Sequence, residues 1–261
     1  MSETNLWGVM PAAGIGARMQ TAQSQHASLP KQYLPLAGKT IIELSLERLL
    51  AVPSMKQVAV CLNPADEHWQ HLSITASSQL LAVDGGRERC DSVLNGLEAL
   101  SPFAGENDWV LVHDAARPCV TRQSIERLLQ SLDGDSVGGI LGVPVSDTLK
   151  SLPSATGKTN TETETVFSID RTVDRSLLWQ AHTPQLFRFG LLKQCLTEAL
   201  ENQFQVTDEA SALEFCGYHP RLIEDRRDNL KITRPEDLAL AEAILNYQKH
   251  EIETATPDTP L

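Results

Sequence analysis

Cysteine is scarce. Cys61, Cys90, Cys119, Cys195 and Cys216 are the only five in 261 residues, and they lie far apart. No C-x-x-C is present, which removes a zinc knuckle and a paired redox motif; buried free thiols in a reducing compartment are expected. No run approaches the ~18 consecutive apolar residues of a membrane span, so no membrane partner is expected. Positive charge is in deficit, with 22 Lys and Arg against 34 Asp and Glu, a net −12 at pH 7. A chain of that sign does not attract nucleic acid or an anionic membrane through its overall field. A small anionic ligand needs only a local cluster of bases. Met1-Ser2-Glu3-Thr4-Asn5 has no basic stretch leading into an apolar one, so no secretory signal is read there and a cytoplasmic location is expected. The rest is ordinary for a globular domain: 41% hydrophobic and 21% charged residues, enough for a core without disulfides or a structural metal.

Short apolar runs at residues 6–10, 57–62, 80–83, 109–112 and 138–143 read as strands, apolar on both faces as in a covered parallel sheet. Residues 221–223 read as a further short strand. Between them, Ile42, Leu46, Leu49 and Leu50 share one helical face, as do Ile125, Leu128, Leu129 and Leu132 behind a Thr121 cap. Residues 190–200 and 208–216 read as helices. A last helix opens at Thr233-Arg234-Pro235-Glu236, a capping-box spacing with an early proline, and runs to about Tyr247. The alternation predicts an α/β fold, a Rossmann-like, mostly parallel sheet flanked by helices with right-handed crossovers. One domain is expected over residues 1–250, with a disordered tail at 251–261. Residues 147–168 break the pattern: polar, rich in Thr, Glu, Lys and Ser, and without helical period. They predict either a disordered loop or an extended β-arm.

Several motifs fail on inspection. Gly38-Lys39-Thr40 and Gly157-Lys158-Thr159 end like phosphate-binding loops, but Tyr33 and Leu152 stand where the first glycine is needed. Gly14-Ile15-Gly16-Ala17-Arg18-Met19 follows a strand, yet Met19 replaces the third glycine of a dinucleotide fingerprint. His68 and His71 lie one helical turn apart, with no third ligand apparent, and read as an exposed face.

Pro11-Ala12-Ala13-Gly14-Ile15-Gly16-Ala17-Arg18-Met19 and Pro30-Lys31-Gln32-Tyr33-Leu34 remain. The first is a small-residue turn at the carboxyl end of the first strand. Such a turn lets main-chain N–H groups approach phosphates closely. Arg18 and Lys31 add two cations, which lower the barrier to attack at a phosphorus that accumulates negative charge. The plain alternative is a solvated loop with two surface bases.

Further segments follow in order: Asp84-Gly85-Gly86-Arg87-Glu88-Arg89-Cys90-Asp91-Ser92-Val93, Val112-His113-Asp114-Ala115-Ala116-Arg117-Pro118 and Pro144-Val145-Ser146-Asp147-Thr148-Leu149-Lys150. Then come Thr172-Val173-Asp174-Arg175, Thr183-Pro184-Gln185, Thr207-Asp208-Glu209-Ala210-Ser211 and Asn229-Leu230-Lys231-Ile232-Thr233. Together these resemble the nucleotidyltransferases that activate sugar and polyol phosphates, and among them the 2-C-methyl-D-erythritol 4-phosphate cytidylyltransferase family of the non-mevalonate isoprenoid pathway. The resemblance spans residues 6–245, and it rests on many motifs agreeing in order and spacing.

The resemblance implies transfer of CMP from CTP to the polyol phosphate, with Mg2+ as cofactor, in a homodimer joined by a projecting β-arm at about residues 147–170. It implies that Pro11, Ala12, Ala13, Gly14 and Gly16 cradle CTP, and that Arg18 and Lys31 are catalytic at the α-phosphorus. Gly85, Gly86 and Ser92 would read cytosine. Asp114 would face the ribose, the substrate and the metal, with Ala115 beside it. Arg117, Thr148, Arg175, Thr183, Thr207 and Lys231 would hold the polyol phosphate, bases meeting phosphate and hydroxyls meeting the polyol. Local alternatives stand beside these roles: Arg117 pairing an acid, Thr207 as a helix cap, Thr183 as turn chemistry before Pro184. A cytidylyltransferase for another polyol phosphate, such as ribitol 5-phosphate, and a non-catalytic nucleotide-binding module are the competing functions. The chain departs from the family in a longer segment at residues 20–29, before Lys31, and in a long acidic arm around Glu162 and Glu164, which is expected at an exposed tip.

Overall fold

A computed structural model describes residues 5–14, 29–153, 159–161 and 164–255. The apolar runs become strands and the amphipathic stretches helices. In chain order these are β1 (Leu6–Pro11), β2 (Pro35–Leu36), β3 (Lys39–Thr40), α1 (Ile41–Leu50), β4 (Met55–Leu62), β5 (Leu80–Asp84), α2 (Arg89–Leu100), β6 (Trp109–Val112), α3 (Arg122–Ser131) and β7 (Gly138–Pro144). The short strands β8 (Leu149–Ser151), β9 (Thr159–Thr161), β10 (Glu164–Val166) and β11 (Arg171–Val173) follow. Then come β12 (Trp179–Arg188), α4 (Phe189–Glu201), α5 (Glu209–Phe215), β13 (Arg221–Glu224) and α6 (Asp237–Ala255).

Seven strands form the central sheet in the order β13-β7-β12-β6-β1-β4-β5. All neighbours run parallel except β12, which is antiparallel to both β6 and β7. The period of two sorts the side chains to opposite faces. Leu6 and Met10 of β1 pack with Ile42 and Leu46 of α1 and Ile125 and Leu128 of α3. Trp7 and Val9 pack on the other face with Val93 and Leu97 of α2, Leu192 of α4 and Leu213 of α5. Each fully buried leucine or valine stabilises this sandwich by roughly 1.5–3 kcal/mol. Gly96 lets α2 settle on the sheet, since a Cβ there would stand 2.7 Å from Val9 and 2.9 Å from Cys61 Sγ. Helix α6 closes a smaller cluster with Leu36, Ile41, Cys119 and Ile232.

The short β2–β3 hairpin, α2 and β12 go beyond the sequence reading. Helix α2 opens on a polar turn, and β12 has no continuous apolar run. Burial comes to β12 through its place between two strands, and its pairing with β7 shifts register between His182 and Gln185, where Pro184 has no N–H to give. Helix boundaries also change. Asp208, not Thr207, caps α5, its carboxylate accepting from Ser211 N–H. The final helix starts at Asp237, whose carboxylate accepts from the N–H groups of Thr233 (2.7 Å) and Arg234 (2.8 Å). It continues to Ala255, so residues 251–255 are helical rather than a disordered tail; residues 256–261 lie outside the described residues.

The arm is a β-structure, which decides between the two expectations for residues 147–168. Strand β8 pairs antiparallel with β11, and β9 with β10, so that Thr161 pairs with Glu164. Glu162, expected at the tip, and the longer segment before Lys31, residues 20–28, lie outside the described residues. Gly38 (φ 83°) and Ala37 (φ 48°) make the tight turn between β2 and β3, and Thr40 begins α1 with a reciprocal cap to Glu43. That turn, not a phosphate loop, explains Gly38-Lys39-Thr40. All five cysteines are free thiols, and burial pushes Cys61, Cys119 and Cys195 up to about 12, which suits packing rather than reactivity. No helix among the described residues is long and apolar enough to cross a membrane.

Candidate active site

Strand order reverses between β1 and β6, the place where open α/β sheets put ligands, just beyond the carboxyl ends of the strands. The turn after β1 is fixed there by its own backbone. Ala12 N–H donates to Cys61 O (2.8 Å), and Ala12 O accepts from the buried Gln32 amide (2.8 Å). The second bond draws in the helical turn of residues 31–33, so Lys31 stands at the same cleft, its ammonium donating to Ile232 O (3.3 Å). The Tyr33 hydroxyl donates to Asp66 (2.7 Å), and its ring packs on His68, with centroids 5.1 Å apart.

The turn after β5 closes the other wall. Gly85 N–H donates to Leu62 O (2.6 Å), and a Cβ on Gly85 would stand 2.5 Å from the Ala13 Cβ. Gly86 N–H donates to the Ser92 hydroxyl (3.0 Å), which in turn donates to Glu88 O (3.1 Å). Ser92 therefore shapes this turn. Pro11, Ala12, Ala13, Gly14, Gly86, Ser92, Asp114 and Ala115, all expected near the nucleotide, line one cleft of about 210 Å³ together with Lys31 and Lys231. Gly16 and Arg18 lie outside the described residues. A larger groove of about 920 Å³ sits at the amino ends of the parallel strands, but its Arg188 is held by the carbonyls of Asp135 and Asn107.

Asp114, two residues past β6 and only 7% exposed, is the electrostatic centre of the cleft. Arg89 binds its Oδ1 (2.9 Å) and Lys231 its Oδ2 (2.6 Å). Burial opposes its ionisation, but Arg89, Lys231 and Arg117 prevail and hold its carboxyl well below the usual carboxylate range. Arg89 also grips the fully buried Glu209 through two bonds, 2.6 and 3.1 Å. Burial raises Glu209, with Arg89 opposing. Arg89 and Glu209 sit inside motifs that carry the family resemblance, yet nothing in the sequence singles them out as site residues. Only the fold shows that α2 and α5 bring them together.

Behind Asp114 lies a second layer. Asp114 N–H donates to the Thr183 hydroxyl (3.1 Å), which donates to His113 Nδ1 (3.1 Å), while His113 Nε2–H donates to Arg117 O (3.1 Å). Burial pushes His113 down to about 4, so this chain of bonds holds a neutral imidazole. Thr183 thus supports Asp114 from within. Arg117 is 7% exposed and donates to the carbonyls of Asn229 (2.7 Å) and Ala181 (3.4 Å) rather than pairing an acid. Thr148 and Arg175 are exposed on or beside the arm, and Thr207 is exposed before α5; none of the three lines the cleft. Of the residues expected at the substrate, the cleft itself contains Asp114 and Lys231.

The family model for 2-C-methyl-D-erythritol 4-phosphate cytidylyltransferase, IspD, matches residues 6–247. The chain belongs to that family. A member from Ectopseudomonas mendocina (strain ymp) is 51% identical over 237 residues, covering 90% of this chain and 94% of its own length. One from Escherichia coli O127:H6 is 49% identical over 246 residues, covering 94% and 96%. Among solved structures, the family member from Francisella tularensis aligns with a TM-score of 0.76 at 33% identity, over 92% of this chain and 100% of its own. That from Thermus thermophilus aligns at 0.70 and 29% identity, over 92% and 98%. The mostly parallel seven-stranded sheet is thus the family fold.

Proposed function

We propose that the chain transfers CMP from CTP to 2-C-methyl-D-erythritol 4-phosphate, releasing pyrophosphate and giving 4-diphosphocytidyl-2-C-methyl-D-erythritol. One observation carries this reading: a match to the family over residues 6–247 coincides with a cleft in which residues 11–14, Lys31, Asp114 and Lys231 converge. A phosphate oxygen of the polyol phosphate attacks the α-phosphorus of CTP, and the bond from that phosphorus to the β-phosphate oxygen breaks. No covalent enzyme intermediate is needed, because the acceptor is already a nucleophile. The turn of residues 11–14 receives the triphosphate, and the tight Gly85–Gly86 turn, shaped by Ser92, receives the base. Lys31 and Arg18 stabilise the charge that grows at phosphorus. Lys231 meets the acceptor phosphate, with Arg117 and Thr183 bracing the floor beneath.

Magnesium fits this cleft as a guest of the nucleotide rather than of a protein cage. Among the described residues, no three His, Cys, Asp or Glu side chains gather to hold a metal. The buried Asp114 stands at the cleft and is ionised, with the exposed Glu88 on its rim, a sparse donor set that suits an ion taking most of its ligands from phosphates and water. When bound, magnesium would neutralise charge on the CTP phosphates. Asp114 would be the protein carboxylate nearest such an ion, and Lys231 already shares its charge.

A homodimer completes the site. Thr148 and Arg175 lie outside the cleft on an arm that also exposes Leu152, Phe167, Ile169 and Leu177. A twofold copy covers those apolar side chains and brings the two polar ones to the neighbouring cleft. A cytoplasmic location suits five free thiols. The deciding assay is CTP-dependent pyrophosphate release with candidate polyol phosphates. Release with 2-C-methyl-D-erythritol 4-phosphate is expected; release only with ribitol 5-phosphate, or nucleotide binding without turnover, would replace this reading by one of its competitors.

A further inference from the structure

A buried polar cluster lies beneath the cleft without touching it. Asp225 follows β13 directly, and its carboxylate is fully buried. Its Oδ2 accepts two bonds, from His182 Nδ1–H on β12 (2.9 Å) and from the Asn229 side-chain amide (2.8 Å). Its Oδ1 lies 4.0 Å from Arg127. Burial opposes the ionisation of Asp225, but His182 and Asn229, together with the Arg226 N–H and the Ser124 hydroxyl, hold the carboxylate below its usual range. The Asp225 N–H donates to Gly142 O (2.7 Å), so this residue is fixed to β7 as well.

Asn229 carries the connection onward. The amide that meets Asp225 also donates to Thr183 O (2.9 Å), and the Asn229 carbonyl accepts from Arg117 (2.7 Å). Two residues later comes Lys231, and then Ile232, whose N–H donates to Ala116 O (2.8 Å). Lys231 is thus suspended between two anchors, Asn229 before it and Ile232 after it. The second is a backbone bond. The first depends on side chains, and Asp225 aims it.

Stability alone does not call for a carboxylate here. A buried ionic cluster is a weak stabiliser, since replacing the whole of it by apolar side chains of like volume is often neutral. A satisfied buried network does fix geometry, since each bond specifies direction as well as distance. We propose that Asp225 is a positioning residue: through Asn229 it sets where the Lys231 ammonium stands, and so tunes affinity for the acceptor phosphate without contacting it. This rests on Lys231 holding the polyol phosphate, as proposed above.

Steady-state kinetics on the full-length enzyme test it, with thermal melts as a folding control. Asp225→Ala is expected to raise KM for 2-C-methyl-D-erythritol 4-phosphate about tenfold, a displacement of the order of an ångström being enough for such a loss, while KM for CTP stays within about twofold. Asp225→Asn is expected to stay within about threefold of wild type, because both donors use one oxygen and the amide keeps one. In a Lys231→Ala background, Asp225→Ala is expected to add nothing, as for two residues acting through one contact. If Asp225→Ala does not fold, Asp225→Ser replaces it, keeping a polar group that ends short of both donors. The inference is overturned if the folded Ala or Ser variant leaves KM unchanged, or raises both KM values alike. It is also overturned if Asn is as defective as Ala, or if the two defects multiply. Lys231→Ala with an unchanged KM for the polyol phosphate would instead remove the reading underneath, and the inference with it.

Discussion

Asp114 is where the charges of the cleft meet. Arg89 and Lys231 approach its two oxygens separately, and Glu209 anchors Arg89 from behind. Asp114→Asn keeps the shape and removes the charge, leaving Lys231 without its carboxylate and Arg89 with Glu209 alone. A large loss of activity and a raised magnesium requirement are expected; a lower rate with an unchanged magnesium titration would place Asp114 on ribose or substrate. Lys31→Ala and Arg18→Ala should each lower kcat by roughly 10²-fold, with a smaller effect on CTP affinity, because they act mainly on the transition state. Near wild-type kcat in either variant would refute that role. His113 gives a pH prediction. Its folded value is pushed down to about 4 by burial, against ~6.5 when unfolded. Below ~6.5 the unfolded chain therefore binds a proton that the folded chain refuses. The contribution is complete above that value and falls away as pH drops towards 4. The urea stability gap between wild type and His113→Asn should shrink by about 2–3 kcal/mol from pH 7.5 to 4.5. A gap independent of pH would mean that His113 is not held neutral. The small-residue turn and Asp114 are visible in the sequence because each follows an apolar run, and Lys31 because it is a cation within a motif that carries the family resemblance. Arg89 and Glu209 are not, since 120 residues separate them and either alone reads as a surface charge.

At the scale of elements, the walls of the cleft are two turns pressed together. The Gly85–Ala13 approach leaves no room for a methyl group: the new Cβ would be 2.5 Å from one carbon and 3.0 Å from Leu62 O. Gly85→Ala must therefore part the ends of β1 and β5. The expected result is a KM for CTP raised about tenfold or more with a modest drop in melting temperature, read by kinetics and a thermal melt. An unchanged KM would show that the nucleotide does not depend on this wall. The elements that follow the periodicity rules were the ones the sequence announced. Strands β1, β4, β5, β6 and β7 are apolar enough to stand out, and α3 and α4 carry their stripes in plain view. Strand β12 was hidden because Gln180, His182, Thr183 and Gln185 occupy it; the polar atoms of the last three are satisfied by Asp225, His113, Asp114 and Asp208, partners that exist only after folding. The arm was ambiguous for a related reason. Its strands pair with each other and cover no core, so no apolar period marks them.

At the scale of the molecule, the residues expected at the substrate fall into two groups. Lys31, Asp114 and Lys231 share a cleft, while Thr148 and Arg175 stand away from it on the exposed arm. The arm's pairing is short, three residues on each strand of either ladder, and a two-stranded ribbon of that size is marginal in water. Ile169 is 60% exposed and Leu177 89%, an apolar surface that a twofold copy of the same arm would cover. If that copy carries Arg175 to the neighbour's acceptor phosphate, the two halves of each site come from different subunits, and complementation exposes it. Arg175→Ala and Lys31→Ala homodimers, each nearly inactive, are dissociated, mixed and allowed to reassociate. In a mixed dimer one site receives both defects, because the Lys31-deficient subunit is served by the Arg175-deficient arm. The other site receives neither. Activity per mixed dimer should return to about half of wild type by counting sites. Were Arg175 to serve its own subunit, every site would hold one defect and mixing would restore nothing. Subunit exchange confirmed by mass or fluorescence, with no recovery of turnover, would therefore refute the shared site while leaving the chemistry of the cleft intact.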